Sequence, residues 1–217
     1  MKIEHHPRFN NFFEVHHPLI LHKLSMMRAV ATNKQEFKKL TEEISTLLVY
    51  EVTRGLEITD QLIQTPLEVA SMPVLSGKKP VVLAILRAGL GMIDGFLNLM
   101  PSVRIGHIGL YRDEKTLKPH YYYFKIPKRN EDRQFYICDP MLATGGTAVY
   151  AIDKLKEQGV NKIIFVCILA SPEGVKKVLE AHPDVPIFAA KLDRELNSQG
   201  YILPGLGDAG DRLFGTK

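Results

Sequence analysis

Residues 134–150 read QFYICDPMLATGGTAVY, and this stretch decides the fold of the chain. The apolar residues 135–138 predict a buried strand. It stops at Asp139 and Pro140, because proline cannot continue a hydrogen-bonded ladder. Residues 149–159 then have helical spacing and end in glycine. The stretch therefore predicts a strand, an acidic turn, a glycine loop and a helix.

The loop at residues 143–147, Ala-Thr-Gly-Gly-Thr, has the features of a seat for one phosphate. Its glycines let the backbone turn N–H groups toward one point, and the helix start adds partial positive charge. A nucleoside triphosphate loop would need a lysine after the glycines, and none follows here. Asp139 is placed to accept hydrogen bonds from sugar hydroxyls. The alternative is an ordinary glycine turn between a strand and a helix.

Residues 139–147 resemble the phosphoribosyl pyrophosphate (PRPP) motif of the phosphoribosyltransferases. Many members of that superfamily have two adjacent acidic residues here. This chain has a single carboxylate followed by proline, which is similar to the uracil phosphoribosyltransferase branch. The resemblance implies that the whole motif contacts PRPP: Asp139, Pro140, Met141, Leu142, Ala143, Thr144, Gly145, Gly146 and Thr147.

Composition bounds the class of protein. The 217 residues are 45% apolar and 24% charged, a balance typical of a soluble globular protein. The longest apolar run, residues 163–170, is less than half a membrane span, and the polar start is no signal peptide. We therefore expect a cytoplasmic protein with no membrane partner. Two cysteines suit neither a disulfide framework nor a four-ligand zinc site. The net charge of +4 fits an anionic substrate as well as nucleic acid.

Apolar strand patterns alternate with helical patterns between residues 81 and 190. This order predicts an α/β fold with a doubly wound, mainly parallel sheet flanked by helices. The predicted strands are residues 65–72, 81–86, 103–110, 135–138, 161–170 and 185–190, and an amphipathic helix begins near residue 32. With the resemblance, the chain is expected to be a single phosphoribosyltransferase domain, residues 1–217. Its parts would be an N-terminal arm and helix (1–55), a core (about 65–190), a β-hairpin arm and a C-terminal base-binding hood (191–217).

Arg87 follows the predicted strand 81–86, on the sheet edge that also carries Asp139. It is either part of a structural ion pair or a residue that grips a polyphosphate with its planar fork of donors. Residues 86–92, Leu-Arg-Ala-Gly-Leu-Gly-Met, resemble the pyrophosphate loop of the family and favour the second role.

Residues 121–126 are expected to pair back on the strand at 103–110 as a hairpin. Basic residues and three tyrosines interleave here, so a nucleic-acid surface is an alternative, although acidic residues interrupt the positive charge. The segment also resembles the flexible loop that covers the phosphoribosyltransferase site. By that resemblance, Arg112 would reach the leaving pyrophosphate when the loop closes.

Five histidines lie in the first thirty residues. No cysteine or carboxylate cluster completes a metal set, so surface histidine is the simpler interpretation, and the alternative is a metal site. Residues 17–28 resemble the opening arm of uracil phosphoribosyltransferases.

The tail contains a literal Gly-x-Gly-x-x-Gly at residues 205–210. We reject a dinucleotide site, because that fold needs a strand before the motif and a helix after it, whereas Pro204 precedes it. A glycine-rich terminal loop is one alternative. The other is that backbone groups of Gly207, Asp208 and Ala209 pair with the amide edge of a flat base. The tail is similar to the family's uracil-binding segment, in which Ile202 would also line the base site.

The resemblance implies a pentosyltransferase that converts uracil and PRPP into UMP and pyrophosphate, with Mg²⁺ held mainly by PRPP. It also implies a homo-oligomer, a dimer or a tetramer, and GTP as a candidate allosteric activator. No nucleic-acid partner is expected. The alternatives are a phosphoribosyltransferase for a purine or orotate, and a regulatory protein that binds PRPP or UMP without turnover. The residues implied in catalysis are Arg87, Arg112, Asp139 and Asp208.

Overall fold

The structure, a computed structural model, describes residues 4–5, 7–112, 119–128 and 131–216. Only the backbone is described for Glu4, His5, Tyr111, Arg112, Pro119 and His120. The strands are β1 (Glu4–His5), β2 (Phe12–Glu14), β3 (Ile58–Gln64), β4 (Val69–Leu75), β5 (Val81–Leu86), β6 (Arg104–Arg112), β7 (Pro119–Lys125), β8 (Gln134–Cys138), β9 (Met141–Leu142), β10 (Lys162–Ala170), β11 (Ile187–Leu192), β12 (Glu195–Leu196) and β13 (Ile202–Leu203). The helices are α1 (Pro18–Arg28), α2 (Lys34–Val52), α3 (Leu90–Leu99), α4 (Gly146–Glu157), α5 (Pro172–Ala181) and α6 (Ala209–Phe214).

Nine of the strands form one sheet in the order β1-β2-β11-β10-β8-β5-β6-β7, with β9 paired to β10. The central strands run parallel, and β1 and β7 add antiparallel edges. Helices cover both faces, because one core cluster includes residues of α2 and α3 and the other includes residues of α4 and α5. The predicted α/β class with a mainly parallel sheet is confirmed, as is the hairpin of β6 and β7.

The central strands lie where the apolar runs predict them. β5 is almost fully buried along its length, as expected for a parallel strand covered on both faces. α2 begins after the N-cap Asn33, whose side chain accepts a hydrogen bond from the Glu36 amide. Cys138 and Cys167 are buried free thiols in β8 and β10, as their positions in core strands predict.

One local prediction is wrong, and several short elements were not predicted. The strand expected at residues 65–72 is a turn followed by β4, which pairs with β3, a strand that the sequence analysis missed. This hairpin is exposed along both strands, so no burial pattern marks it. β2 and α1 were also missed. The tail is no simple loop, because the short ribbon β12–β13 and helix α6 flank the glycines. A ribbon outside the main sheet does not make a dinucleotide unit.

In the part of the chain that the structure describes, no helix is long and apolar enough to cross a membrane.

Candidate active site

The candidate site lies where the winding of the sheet reverses. β5 and β8 are neighbours, but the chain leaves β5 toward β6 on one side and leaves β8 toward β10 on the other. Such a switch point opens a crevice at the carboxyl ends of the strands, where ligands bind in α/β proteins. Arg87 follows β5 and Asp139 follows β8. The topology therefore places both residues at the same crevice.

Gly89 holds the two strand ends together. A Cβ atom added at this position would lie 2.4 Å from the Cys138 carbonyl oxygen and 2.7 Å from the Ile85 carbonyl oxygen. Only a residue without a side chain allows the start of α3 to approach β8 this closely. The close approach keeps the loop that carries Arg87 beside the turn that carries Asp139.

The C-terminal tail closes the crevice into a cavity of about 340 Å³. Arg87, Asp139, Met141, Ala143 and Ile202 line it, together with the tail residues Gly207, Asp208 and Ala209. Segments near residues 87, 139 and 208, far apart in the sequence, thus meet at one cavity. Ile202 and Ala209 are buried there, whereas Gly207 and Asp208 are exposed.

The glycine loop lies beside this cavity and has unused donors. Gly145 adopts φ +76°, a left-handed conformation that favours glycine, just before α4. The amides of Thr144 and Gly145 donate to no acceptor in the described part of the chain. Two orphan amides at the start of a helix form an anion site of the kind that a phosphate fills.

The start of α5 supports this loop from behind. The buried Ser171 hydroxyl donates to the Ala143 carbonyl at 2.6 Å and accepts from the Gly174 amide at 2.9 Å. A Cβ on Gly174 would lie 2.3 Å from the Ala143 carbonyl oxygen, so glycine is required for this contact as well. The loop is therefore held by a second helix before any ligand binds.

Other predicted site residues lie elsewhere or are already engaged. Pro140 and Leu142 are buried, and the Pro140 carbonyl accepts from the amides of β10. Of the motif, Asp139, Met141 and Ala143 line the cavity, and Thr144 to Thr147 lie beyond it. The side chain of Arg112 lies outside the described residues, although its backbone ends β6.

Asp139 is held in an unusual electrostatic state. Burial raises the pKa of its carboxyl to about 7, while a hydrogen bond from the Met141 amide at 3.2 Å acts in the opposite direction. The carboxyl therefore takes up a proton near neutral pH unless a positive charge or hydroxyl donors stabilise its ionised form. A ligand that brings such groups would fit here.

Arg87 is exposed, and its guanidinium makes no ion pair or hydrogen bond within the described part of the chain. Its guanidinium carbon lies 5.6 Å from the centroid of the Phe214 ring. This cation–π contact leaves the donor fork available to an anion. Because no described residue forms an ion pair with Arg87, the structure gives no support to the alternative of a structural ion pair.

The sequence analysis missed Lys177, on α5. Its Nζ atom lies 3.6 Å from where a Cβ on Gly146 would be, and its Cβ lies 3.1 Å from the same point on Gly145. Its exposed ammonium group is unpaired among the described residues and lies over the first turn of α4. Helical periodicity places Lys177 on the exposed face of α5, but only the packing of α5 on α4 brings it to the glycine loop.

No group of three or more metal-binding side chains comes together among the described residues. His17 caps α1 by accepting from the Leu19 amide, and His22 is exposed on the same helix. Asp139 and Asp208 bring two carboxylates to the cavity, but each also accepts a hydrogen bond from a nearby amide. Two carboxylates of this kind suit a cation that enters with its ligand better than a cation coordinated only by protein side chains.

The crevice, the glycine loop and the doubly wound sheet define the class of phosphoribosyltransferases. The adenine phosphoribosyltransferase of Trypanosoma brucei shares the fold, with a TM-score of 0.57 at 14% identity over 91% of this chain and 88% of that one. The AQ2163 protein of Aquifex aeolicus superposes with a TM-score of 0.90 at 36% identity, over 95% of this chain and 99% of that one.

Residues 14–216 match the model of the family described as uracil phosphoribosyltransferase. A uracil phosphoribosyltransferase of an Exiguobacterium species is 56% identical over 93% of this chain and 96% of its own length. That of Enterococcus faecalis is 54% identical over 95% of this chain and 99% of its own length. The chain belongs to the uracil phosphoribosyltransferase family.

Proposed function

We infer that this protein transfers the 5-phosphoribosyl group of PRPP to uracil, giving UMP and pyrophosphate. The observation that carries this inference is the cavity where Arg87, Asp139 and the tail residues 207–209 meet beside the glycine loop. A sugar phosphate needs an anion site, a hydroxyl acceptor and an open face at the anomeric carbon. The glycine loop would supply the first and Asp139 the second, and the two lie side by side in a chain of this family.

The glycine loop binds the 5-phosphate through the amides of residues 144–147 and the hydroxyls of Thr144 and Thr147. Asp139 accepts hydrogen bonds from the ribose hydroxyls, which favour its ionised form. Met141 and Ala143 line the floor between the two sites. Pro140 and Leu142 contribute by fixing the backbone, because both are buried.

The tail positions the base. Backbone groups of Gly207, Asp208 and Ala209 would pair with the alternating C=O and N–H groups of uracil, and Ile202 would form an apolar wall. Gly207 adopts φ +83°, so its peptide groups take an orientation that other residues rarely adopt. The uracil nitrogen is thereby held in line with the anomeric carbon.

In the reaction, the bond from the anomeric carbon to pyrophosphate breaks and its electron pair leaves with pyrophosphate. The new bond forms to a ring nitrogen of uracil, which gives up its proton to solvent water. Arg87 stabilises the negative charge that develops on the leaving group, and Arg112 is proposed to join it from the end of β6. Asp208 is proposed to contact the sugar or the waters of the metal. We assign no general base.

Mg²⁺ is proposed to enter with PRPP, with Asp139 and Asp208 facing it from the cavity wall. Bound magnesium would neutralise charge on the pyrophosphate oxygens. The ionised form of Asp139, disfavoured by burial, would gain from the same positive charge.

We further propose a cytoplasmic homo-oligomer built from single-domain chains, with GTP as a candidate activator. The support for self-association is the hairpin β3–β4, which forms a two-stranded sheet separate from the main sheet. One of its faces carries Ile58, Leu62, Val69 and Leu75, each more than half exposed. Apolar surface of this kind is typical of an interface.

The direct test measures pyrophosphate release from PRPP with uracil, orotate, adenine, guanine and hypoxanthine in separate reactions. Release with uracil alone supports the proposal. Release with a purine or orotate instead would assign a different phosphoribosyltransferase. Binding of PRPP without release for any base would favour the regulatory protein.

A further inference from the structure

The tail that would read the base is not anchored in the main sheet. Its only strand pairing is the two-residue ribbon β12–β13 among the described residues. Gly205 and Leu206 are nevertheless buried, and they directly precede Gly207. Some other contact must fix the backbone of this segment.

An ion pair supplies one such contact, beside the hydrogen bond from Arg212 to the Leu206 carbonyl at 2.8 Å. The Arg28 guanidinium, at the end of α1, donates to both carboxylate oxygens of Asp193, at 2.7 Å from Nη1 and 2.6 Å from Nη2. Asp193 follows β11 directly and is 6% exposed. Two parallel bonds between a planar fork and a buried carboxylate fix both direction and distance.

The pair holds the peptide groups of Gly205 on both sides. Arg28 Nη1 also donates to the Gly205 carbonyl at 2.7 Å, and the Gly205 amide donates to Asp193 Oδ2 at 3.0 Å. Gly205 adopts φ +64°, and a Cβ there would lie 2.0 Å from the Ile202 carbonyl oxygen. The donor and the acceptor of one glycine are therefore both fixed, two residues before Gly207.

We propose that the Arg28–Asp193 pair is a positioning unit for recognition of the base. It sets the register of residues 207–209 against uracil. Neither side chain lines the cavity that holds Arg87 and Asp139, so the pair acts through the backbone of the tail. This proposal rests on the proposed function, since it assigns a determinant of base affinity in the same site.

The test compares two conservative variants, Arg28→Lys and Asp193→Asn. Lysine keeps the charge but loses the two-pronged geometry, and asparagine keeps the shape but loses the charge. We expect KM for uracil to rise about tenfold in either variant and KM for PRPP to change less than twofold. Because the two residues act as one unit, KM for uracil should be no higher in the double variant than in the more strongly affected single variant.

Lys23 supplies the matched control. It also lies on α1, and it pairs with Glu43 of α2 at 2.6 Å, but it makes no hydrogen bond or ion pair with the described residues of the tail. Lys23→Ala should weaken the docking of α1 and leave KM for uracil unchanged. A purely structural role for Arg28 would make the two sets of variants behave alike.

A second readout does not depend on turnover. In the ligand-free protein, amide hydrogen exchange at residues 205–209 should be faster in Asp193→Asn than in the parent, and unchanged in Lys23→Ala. Unaltered exchange with an unaltered KM for uracil would overturn the positioning role. An equal rise of both KM values would overturn it too. A parent protein that releases no pyrophosphate with uracil would instead refute the proposed function, and the exchange experiment would still decide whether the pair orders the tail.

Discussion

The side chain of Arg87 is the clearest candidate for a role in the chemistry, because it is exposed at the cavity and unpaired among the described residues. Arg87→Ala should lower kcat by about 10²- to 10³-fold, by analogy with the loss of one donor to a developing negative charge. Steady-state pyrophosphate release measures the effect. Arg54→Ala is the control, since Arg54 is an exposed arginine that pairs with Glu51 far from the cavity. Unchanged kcat in Arg87→Ala would remove Arg87 from the mechanism.

Asp139 gives a pH-dependent prediction for stability. Its carboxyl has a pKa of about 7 in the folded chain, against 3.8 as a free side chain. Between these values the folded state binds more protons than the unfolded state, so this group's contribution to the free energy of unfolding falls as pH rises. Asparagine cannot ionise. Urea unfolding should therefore show Asp139→Asn gaining stability relative to the parent between pH 5 and pH 8. If the free energies of unfolding of the two proteins differ by the same amount at pH 5 and at pH 8, the burial of this charge would be contradicted.

Lys177 lies over the glycine loop and has no hydrogen-bond or ion-pair partner in the described part of the chain. Lys177→Gln should raise KM for PRPP about two- to fivefold without changing kcat, because an exposed charge at a helix start contributes below about 1 kcal/mol. The neighbouring Lys176 pairs with Glu180, so Lys176→Gln is the matched control. High salt should reduce the difference between Lys177→Gln and the parent. Equal effects of the two substitutions on KM for PRPP would show that the effect comes from the net charge of the protein and not from the position of Lys177.

The residues that the sequence reveals are those with local chemistry. Asp139 follows an apolar run and precedes a proline, so its place at a strand end can be predicted. Asp193 has no such signal. Its role depends on Arg28, 165 residues earlier, and pairing at that separation exists only after the sheet and α1 have packed. The raised pKa of Asp139 likewise comes from the packing around it.

Among the elements, the junction of β5 and α3 depends on Gly89. Gly89→Ala would place a methyl group 2.4 Å from the Cys138 carbonyl oxygen, and backbone on both sides leaves no room to relax. The free energy of unfolding should fall by about 2 kcal/mol or more. Gly55→Ala is the control, because nothing lies within 4 Å of the added carbon there. Denaturant unfolding compares the two, and equal midpoints would contradict the close approach.

Elements were predictable where their burial leaves a recognisable pattern of apolar residues in the sequence. β5, β8 and β10 are covered on both faces, so their residues are continuously apolar. The hairpin β3–β4 is exposed throughout, and no pattern of burial distinguishes it from a loop. β2 is three residues long, too short for periodicity to show, and it is fixed only by pairing with β11.

For the whole molecule, the apolar face of the hairpin β3–β4 predicts self-association. Leu62 is 73% exposed at its centre, so Leu62→Lys should break a contact between chains. Light scattering should give the parent a mass that is a multiple of 24.5 kDa and the variant a lower mass. Thr59→Lys, on the opposite face of the same strand, should leave the mass unchanged. A parent protein that is already monomeric would contradict the prediction.

The proposed function requires one spatial arrangement, in which the ends of β5 and β8 and the tail, which line one cavity, surround a single nucleotide. The most direct measurement is a crystal structure of the protein with UMP bound. We predict the phosphate against the amides of residues 144–147, the ribose hydroxyls on Asp139 and the uracil edge on Gly207 to Ala209. UMP bound elsewhere, or with its base away from residues 207–209, would contradict the account.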